Sequence, residues 1–325
     1  MTITVLVVLV NFRRTEDTLS CIQSLKQLVA PTVDLMIAVC DNESSATSAT
    51  ALIETLQMVP CDSKSSIADA QILTGTAGLH RCLLLLSLEN TGFAGGNNLA
   101  YRAADPTGTS DYVWFLNNDT EVAPDSLLRL IERMELEPRI GLCGATLVYS
   151  WDRRLVQCMG GCRINRWTGA TRQLGHLSSW PCTIDEANIE LQMDYPAGAS
   201  ILASRRFLDI VGLMAEDYFL FYEEIDWSIR ARRAGFHIGY AARAVVYHKE
   251  GASIGSGTGA SRSALAEYFG LRNKLRFTWR FYPWAWPSVW LISWLQVVRR
   301  LTQRKWQRAG LMARTLLGVA SVPHH

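Results

Sequence analysis

Four short apolar runs divide the first 116 residues, and each predicts a buried strand. They span residues 3–10, 35–39, 83–88 and 111–116, and the first is rich in β-branched side chains. Between the first two runs, Ile22, Leu25 and Leu28 share one face of a helix that has acidic residues in its first turn. Alternation of strands with amphipathic helices is typical of an α/β fold. The sequence therefore predicts a Rossmann-like, mostly parallel central sheet flanked by helices.

Polar residues follow the second and fourth runs, at the edge where open α/β sheets bind their ligands. Asp41 ends the second run, and a carboxylate there can accept a hydrogen bond from a base or a ribose hydroxyl. A turn that caps the helix from Ser44 explains Asp41 equally well. Asn117, Asn118 and Asp119 follow the fourth run, and their oxygens suit a hard divalent cation that also holds a diphosphate. A capped strand-to-helix turn also favours Asn and Asp, so this triplet has two explanations.

A glycine-rich segment, TGFAGGNN, follows the third run and Asn90. Gly92, Gly95 and Gly96 allow the backbone to turn tightly and to approach a ligand at a helix N-terminus, where anions bind. The spacing matches neither a G-x-G-x-x-G motif nor a P-loop. Taken alone, the glycines indicate close approach to a ligand or to another backbone.

Residues 218–248 hold the densest acidic cluster of the second half. Glu223 and Glu224 come just before a short helix that Ile225 and Ile229 predict by their i, i+4 spacing, and a strand later ends in His248. Adjacent carboxylates and a histidine indicate acid/base chemistry beside a candidate metal ligand. Acids in a first helical turn also complement the helix dipole, and a strand-end histidine can simply be bonded within the core. Both residues therefore have a structural explanation as well.

Two neighbouring features complete this region. Asp226 has Arg230 four residues later as an ordinary helical ion-pair partner. Residues 249–261 form a Gly/Ser-rich segment of the kind that orders over a bound ligand.

Charge and aromatic content set the C-terminal tail apart. The 325-residue chain has a formal net charge of +2, yet residues 262–314 hold eleven Lys and Arg, six Trp and a single acid, Glu267. Basic residues mixed with tryptophans fit a membrane interface better than nucleic acid, so we expect no nucleic-acid partner. The apolar run at 284–298 is shorter than the roughly 20 residues of a spanning helix. It predicts a helix lying on the bilayer, with a helix buried in the protein as the alternative.

The N-terminus and the cysteines indicate the compartment. Residues 1–12 lack the basic segment and cleavage site of a signal peptide, so we expect a cytoplasmic protein. Eight cysteines are scattered without C-x-x-C spacing, and Cys158 and Cys162 lack a second ligand pair for zinc. Reduced thiols are the expectation.

Four motifs in a fixed order carry a family resemblance. They are Cys40–Asn42 after a strand, NTGFAGGNN at 90–98, LNND at 116–119, and FLFYEEIDWSIRARRAGF followed by VVYH. Over residues 3–280 the chain resembles inverting glycosyltransferases of family 2 with the GT-A fold, in the branch of bacterial rhamnosyltransferases and galactofuranosyltransferases. The resemblance implies a nucleotide-sugar-binding half at 1–138, an acceptor-binding and catalytic half of the same domain at 139–260, and a helical, membrane-interface tail at 261–325.

The resemblance also implies roles for single residues. Glu224 would activate the acceptor hydroxyl, although the family usually has Asp there. Asp119 and His248 would hold a divalent metal, Mg²⁺ or Mn²⁺, with one of the two preceding asparagines assisting in place of the family's Asp-x-Asp. The residues expected at the nucleotide-sugar donor are Asp41, Asn90, Gly92, Asn97, Asn118 and Arg272, the last with Asn273 forming an Arg-Asn pair near the diphosphate or acceptor.

The implied reaction moves L-rhamnose from dTDP-rhamnose, with inversion, onto a hydroxyl of a saccharide or lipid-linked saccharide in cell-surface polysaccharide synthesis. UDP-galactofuranose and UDP-hexoses are alternative donors. An inactive nucleotide-sugar or glycan-binding protein on the same fold is the alternative of another class, since Asn117 and Asn118 resemble decayed metal ligands. The expected location is the inner face of the cell membrane, as a peripheral protein, and homo-oligomer formation stays open.

Overall fold

The computed structural model describes residues 2–61, 70–249 and 263–323. Within them, the strands are β1 (Ile3–Asn11), β2 (Val33–Asn42), β3 (Val59–Pro60), β4 (Gln71–Ala77), β5 (His80–Ser87), β6 (Tyr112–Asn117), β7 (Thr120–Val122), β8 (Ile140–Tyr149), β9 (Val156–Met159), β10 (Gly161–Ile164), β11 (Thr171–Gln173), β12 (Tyr195–Pro196), β13 (Ser200–Ser204) and β14 (His237–His248). The helices are α1 (Thr15–Leu25), α2 (Ala46–Leu56), α3 (Gly92–Ala104), α4 (Ser126–Leu136), α5 (Glu186–Gln192), α6 (Arg205–Val211), α7 (Glu223–Arg233), α8 (Ala264–Phe281), α9 (Trp286–Thr302) and α10 (Trp306–Leu316). Of the segment expected to cover a ligand, residues 250–261 lie outside the described residues.

One large mixed sheet forms the centre of the fold, in the order β3-β4-β5-β2-β1-β6-β13-β8-β14-β7. The run β5-β2-β1-β6 is parallel, which the four apolar stretches predicted. The register sets Asn11 beside Asp41, and Val10 beside Asn117. The polar residues that end these strands therefore meet at one edge, because parallel strands share a carboxyl edge.

Strand β13 joins the two halves of the chain within this sheet. It runs antiparallel to β6 on one side and to β8 on the other, and β8 then pairs in parallel with β14. The last residue of β14, His248, pairs with Thr120 of the short strand β7. Because β7 begins directly after Asp119, this pairing brings the predicted histidine next to the predicted acidic ligand.

Helices cover both faces of the sheet, and α7 is fixed by an aromatic cluster. Trp227 of α7 is fully buried and contacts Phe115 of β6 and Phe207 of α6 edge to face. Its indole N–H donates to the Gly212 carbonyl at 2.8 Å. Buried aromatic pairs of this kind add about 0.5–1.5 kcal/mol each beyond the burial of their area. They hold the N-terminus of α7, where Glu223 and Glu224 lie, against the sheet.

The C-terminal helices pack on each other and on the segment before α7. Helix α9 buries Val289, Ser293 and Val297 but leaves Leu291 and Leu295 exposed, so one face packs in the protein and the other meets solvent. No helix in the described part of the chain is long and apolar enough to cross a membrane.

Candidate active site

Asp41 lies buried at the end of β2 and already has three side-chain donors. Asn11 Nδ2 donates to Oδ1 at 2.7 Å, and the hydroxyls of Ser44 and Ser48 donate to Oδ2 at 2.5 and 2.7 Å. Charge-assisted bonds of this kind are the stronger ones in proteins. They tie β1 and β2 to the start of α2, as the turn-capping alternative expected. A role for Asp41 in donor binding stays a prediction.

Asn42, the next residue, fixes the glycine-rich segment. Its Nδ2 donates to Asn90 Oδ1 at 3.0 Å and to the Gly92 carbonyl at 3.1 Å, and its Oδ1 accepts from the Thr91 N–H at 2.9 Å. Both ends of the amide are therefore used on residues 90–92. Asn90 in turn accepts from the Gly92 N–H at 2.9 Å. The resemblance gave Asn42 no role, and its position at a strand end beside Asp41 was the only signal.

Gly92 meets another part of the backbone closely. Its φ of +76° lies in the left-handed region, and a Cβ added there would stand 2.3 Å from the Phe219 carbonyl oxygen. The next residue, Phe93, donates its N–H to that same carbonyl at 2.7 Å. Only glycine fits this position without strain. The start of α3 is thereby coupled to the segment that leads into α7.

Two other expected donor residues are bonded within the protein. Asn97 is buried in α3 and donates to the Phe93 carbonyl one turn earlier at 2.9 Å. Asn118 is buried after β6 and donates to Thr18 Oγ1 at 2.9 Å. Asn118 therefore points away from Asp119 and toward α1. For both asparagines, contact with the nucleotide-sugar donor stays a prediction.

Asp119 and His248 form a buried pair. Asp119 Oδ1 lies 3.1 Å from His248 Nε2, and the Asn117 amide lies 3.4 Å from the same nitrogen. The opposite ring nitrogen, Nδ1, is 2.9 Å from Gln157 Oε1. Burial raises the pKa of the Asp119 carboxyl, but the charge of His248, hydrogen bonds to the carboxyl and the charge of Lys249 together outweigh burial, and the pKa lies below its usual value.

The donor set of this pair fits a cation. In the tautomer in which Nδ1 donates to Gln157 Oε1, a neutral His248 presents Nε2 to Asp119 Oδ1 as a second acceptor, and a proton or a cation between them would satisfy both atoms. Buried oxygens Asn117 Oδ1 and Asp119 Oδ1 have no hydrogen-bond partner among the described residues. The same residues contain no group of three or more His, Cys, Asp or Glu that could hold a metal. A cation here would take one carboxylate, one imidazole and one amide, and would need substrate oxygens to complete its shell.

The segment before α7 has an unusual backbone that a single asparagine holds. Phe219, Phe221 and Tyr222 all have positive φ values, between 66° and 76°. The buried Nδ2 of Asn273 donates to the carbonyls of Tyr218 and Leu220 at 2.7 Å, and is 3.2 Å from that of Phe221. Left-handed backbone at a non-glycine residue is strained and persists where surrounding contacts enforce it. Asn273 thus fixes the entry into α7 from α8.

Glu223 and Glu224 form the first turn of α7 and have distinct environments. Burial and then the charge of Glu224 raise the pKa of Glu223 well above its usual value, which favours its neutral form. Burial raises the pKa of Glu224 to about 7, although backbone hydrogen bonds at Glu224 and Tyr222 counteract it. Each carboxyl has a buried Oε2 without a hydrogen-bond partner in the described structure. A carboxyl that titrates near neutrality can exchange a proton with a bound hydroxyl.

Glu224 lines a cavity of about 630 Å³ between α7 and the C-terminal helices. Gly198 leaves space beside the carboxyl, because a Cβ there would be 4.0 Å from Glu224 Cδ. The charged and hydrogen-bonding residues that line the cavity are Thr171, Tyr195, Tyr222, Glu224, Glu267, Lys274, Gln296, Arg299, Arg300, Gln303 and Lys305. Four of these residues are cations from the tail that composition had set apart.

Asp226 and Arg272 both make hydrogen bonds within the protein, and the predicted role of Arg272 near the diphosphate or acceptor stays a prediction. Asp226 accepts from Arg230 Nε at 2.6 Å, which confirms the helical ion pair, and also from Arg280 and the Tyr218 hydroxyl. Arg272 donates to Asn273 Oδ1 at 3.2 Å and does not line the cavity with Glu224. Sequence reasoning missed Gln157 and Lys274; nothing distinguished them before their partners were placed.

Comparison with known proteins finds a similarity in the first half of the chain. Residues 6–160 match the family described as Glycosyl transferase family 2. This match covers slightly less than half of the chain. It includes the predicted donor edge from β1 to β9 and ends before Glu224. The match supports the predicted resemblance to family 2 glycosyltransferases. The rhamnosyltransferase and galactofuranosyltransferase branch stays a prediction.

A curated relative and several solved structures resemble the chain. The low-salt glycan biosynthesis hexosyltransferase Agl10 of Haloferax volcanii is 25% identical over 154 residues, which are 46% of this chain and 46% of the relative. The match thus spans about half the length of that relative. Crystal structures of S. aureus TarS 1–349 align with TM-scores of 0.51 alone and 0.52 with UDP-GlcNAc, at 12% and 13% identity. Each alignment covers 84% of this chain and 65% or 66% of TarS 1–349, and it confirms the predicted GT-A fold.

Proposed function

We propose that the chain is an inverting glycosyltransferase in which Glu224 is the general base. The observation that carries this proposal is that the Glu224 carboxyl, at the N-terminus of α7, lines a cavity large enough for a saccharide unit, where burial raises its pKa to about 7. The match of residues 6–160 to Glycosyl transferase family 2 supports a nucleotide sugar as donor. Together they favour sugar transfer over simple binding.

The mechanism follows from the residues beside the cavity. Glu224 accepts the proton of the acceptor hydroxyl, and the resulting oxygen nucleophile attacks the anomeric carbon of the donor. The bond from that carbon to the nucleoside diphosphate breaks on the opposite face, so the sugar is transferred with inversion. The electron pair leaves with the diphosphate, and the proton stays on Glu224 until solvent removes it. Neutral Glu223 next to it adds no second negative charge.

We also propose a divalent cation, Mg²⁺ or Mn²⁺, at the strand edge. Asp119, His248 and Asn117 would hold it, and it would neutralise charge on the departing diphosphate. Asn117 Oδ1 and Asp119 Oδ1 are buried without a hydrogen-bond partner among the described residues, and Asp119 Oδ1 lies 3.1 Å from His248 Nε2; both observations support this assignment. Gln157 holds the imidazole by its other nitrogen, as partners of metal-binding histidines generally do.

Two of the candidate donors have support from the resemblance or the comparisons. The motif resemblance favours dTDP-L-rhamnose. A UDP-hexose is the second candidate, because the curated relative is named a hexosyltransferase and the TarS structures include complexes with UDP and UDP-GlcNAc. The acceptor is proposed to be a hydroxyl of a saccharide or lipid-linked saccharide in cell-surface polysaccharide synthesis.

Thermal-shift titration and nucleoside diphosphate release test the proposal together. The panel is dTDP-rhamnose, UDP-galactofuranose and UDP-hexoses, each with Mg²⁺ or Mn²⁺. We expect one donor to raise Tm in both the wild type and Glu224→Gln, and only the wild type to release diphosphate. Full turnover in Glu224→Gln removes Glu224 as the base. Donor binding without any release by the wild type favours the inactive sugar-binding protein instead.

We propose that the tail attaches the protein to the inner face of the membrane as a peripheral protein. Trp279 and Trp306 are 65% and 63% exposed, and α9 presents Leu291 and Leu295 outward beside a basic helix end. Exposed tryptophans with cations are typical of a membrane interface. Flotation with vesicles containing anionic lipid should recover the wild type but less of a Trp279→Ser, Trp306→Ser variant. Equal recovery of both proteins contradicts the attachment.

A further inference from the structure

Lys274 is a buried cation that lines the cavity opposite α7. Its side chain is 8% exposed, and its ammonium has no ion-pair partner within the described ranges. Burial lowers its pKa to about 8, and no acidic residue in the described part of the chain offsets that effect. A buried charge without a partner is unfavourable, so an ordinary packing role would be served better by Leu or Met. The ammonium is placed to meet an anion that enters the cavity.

The surrounding chain makes room for this lysine. Gly169, with φ of +66°, lies against its stem, and a Cβ there would stand 2.6 Å from Lys274 Cγ and Cδ. The Tyr222 hydroxyl donates to the Gly169 carbonyl at 3.0 Å and holds that backbone in place. Lys274 therefore occupies a formed slot that ends at the cavity.

The other charges of the cavity leave a positive surplus near its rim. Glu267 is already paired with Arg300 at 3.0 Å and with Arg308 at 3.1 Å. Arg299 and Lys305 line the same cavity without an ion pair among the described residues. Cations without partners in a partly closed cavity attract oxyanions.

We propose that the acceptor of the transfer reaction carries an oxyanion, a phosphate or carboxylate, and that Lys274 binds it with Arg299 and Lys305 at the rim. This proposal rests on the proposed function, since it assigns the acceptor's charged group to the cavity that Glu224 lines. The hydroxyl to be glycosylated would lie at the Glu224 end and the oxyanion at the Lys274 end. Lys274 thereby selects charged acceptors over neutral ones of the same size.

Calorimetric titration without donor tests the site directly. The probes are inorganic pyrophosphate, geranyl diphosphate and D-glucuronate, with D-glucose as the neutral comparison. The variant is Lys274→Met, and Arg314→Met is the matched control because it removes one exposed cation of α10 outside the cavity. Any diphosphate binding at the donor edge is the same in all three proteins, so it cancels in the comparison.

We expect Lys274→Met to weaken binding of at least one anionic probe tenfold or more, with Arg314→Met within twofold of the wild type. Preference for geranyl diphosphate over pyrophosphate identifies a lipid-linked source, and preference for glucuronate identifies an acidic sugar. Equal affinities in all three proteins, or no saturable binding by the wild type, overturns the proposal. Lys274→Gln repeats the test if the Met variant does not fold. Because no transfer is measured, loss of the Lys274 effect and loss of sugar transfer are separate results.

Discussion

Polar side chains at the carboxyl edge of the parallel strands differ from those in the Glu224 cavity in how fully they are hydrogen-bonded. At the strand edge, Asp41 and Asn42 form hydrogen bonds to neighbouring protein groups with nearly all of their donor and acceptor atoms. In the cavity, Glu224 is half-buried and Lys274 is buried, and Glu224 Oε2 and the Lys274 ammonium have no hydrogen-bond or ion-pair partner among the described residues. The first region is a rigid frame, and the second holds unfavourable electrostatics. Natural proteins accept such local conflicts mainly at functional sites.

The largest expected effect is the loss of transfer activity when Glu224 in the cavity is replaced. Wild-type kcat/KM for transfer should rise about tenfold per pH unit below pH 7 and level off above it, because Glu224 must be deprotonated to act as base. Glu224→Gln should lose about 10³-fold at pH 8 and show no such limb. A stopped assay of diphosphate release from pH 5.5 to 8.5 measures both. An unchanged acidic limb in the variant assigns the titration to another group.

The next largest effect concerns Asn117 and Asp119, whose buried Oδ1 atoms have no hydrogen-bond partner among the described residues. Asp119→Asn should reduce transfer about 100-fold and weaken activation by Mn²⁺, because one amide replaces the only carboxylate of the cation set. Asp125→Asn, which alters an exposed pair with Arg129, is the matched control. Manganese titration of activity measures the apparent metal affinity. The same activity and affinity in Asp119→Asn, or full activity in EDTA, removes the metal from Asp119 and His248.

The cavity also depends on the frame around it, and Asn273 is the test. Asn273→Asp keeps the size of the side chain but replaces the amide nitrogen, which donates to three carbonyls, with an oxygen that can only accept. The segment with positive φ values before α7 therefore loses the hydrogen bonds that hold it. We expect about 2–4 kcal/mol of lost stability. We also expect a fall in kcat that exceeds any rise in KM. Urea unfolding and steady-state kinetics measure the two changes. Stability loss with unchanged kcat means that Asn273 does not position Glu224.

The parallel core was predictable from sequence, while the cavity electrostatics were not. The apolar runs predicted β1, β2, β5 and β6 because their pattern is local, and the i, i+4 pattern around Ile225 predicted α7. Lys274 was one of eleven cations in the tail, and its burial depends on the packing of α8 against distant parts of the chain such as the loop at Gly169. Long-range packing also determines the burial of Glu224 and so its pKa, and neither can be predicted from the spacing of residues in the sequence.

The same limit applies to the backbone near the site. Positive φ values are ordinary for glycine, and Gly92 was recognised as a position of close approach. Phe219, Phe221 and Tyr222 carry no such signal, because their conformation is enforced by Asn273 some 50 residues later. The antiparallel insertion of β13 between β6 and β8 was likewise not evident, since its short apolar stretch fits either direction.

A smaller effect tests the frame itself. Asn42→Ala leaves the Asn90 side chain, the Thr91 N–H and the Gly92 carbonyl without their partner, so we expect about 2–3 kcal/mol of lost stability. Asn188→Ala on the exposed face of α5 should change stability by less than about 0.5 kcal/mol. Urea unfolding compares the two variants. A loss at Asn42 no larger than at Asn188 contradicts the view of the edge as a rigid frame.

The smallest effect is a change in the free energy of unfolding, which should have opposite signs for substitutions in the cavity and at the strand edge. Burial raises the pKa of Glu224 from 4.5 to about 7, so the folded state binds the proton more tightly than the unfolded chain does. The stability this contributes is fully present below pH 4.5 and is lost as pH rises through 7, by at most about 3 kcal/mol. Glu224→Gln removes that loss, so relative to the wild type it should gain about 1–3 kcal/mol between pH 5 and pH 8. The exposed substitution Glu54→Gln should show no such gain in paired urea unfolding at the two pH values. If Glu224 served only the stability of the fold, replacing it would not stabilise the protein. A gain in stability for Glu224→Gln together with a loss for Asn42→Ala would therefore distinguish the functional site from the rigid frame.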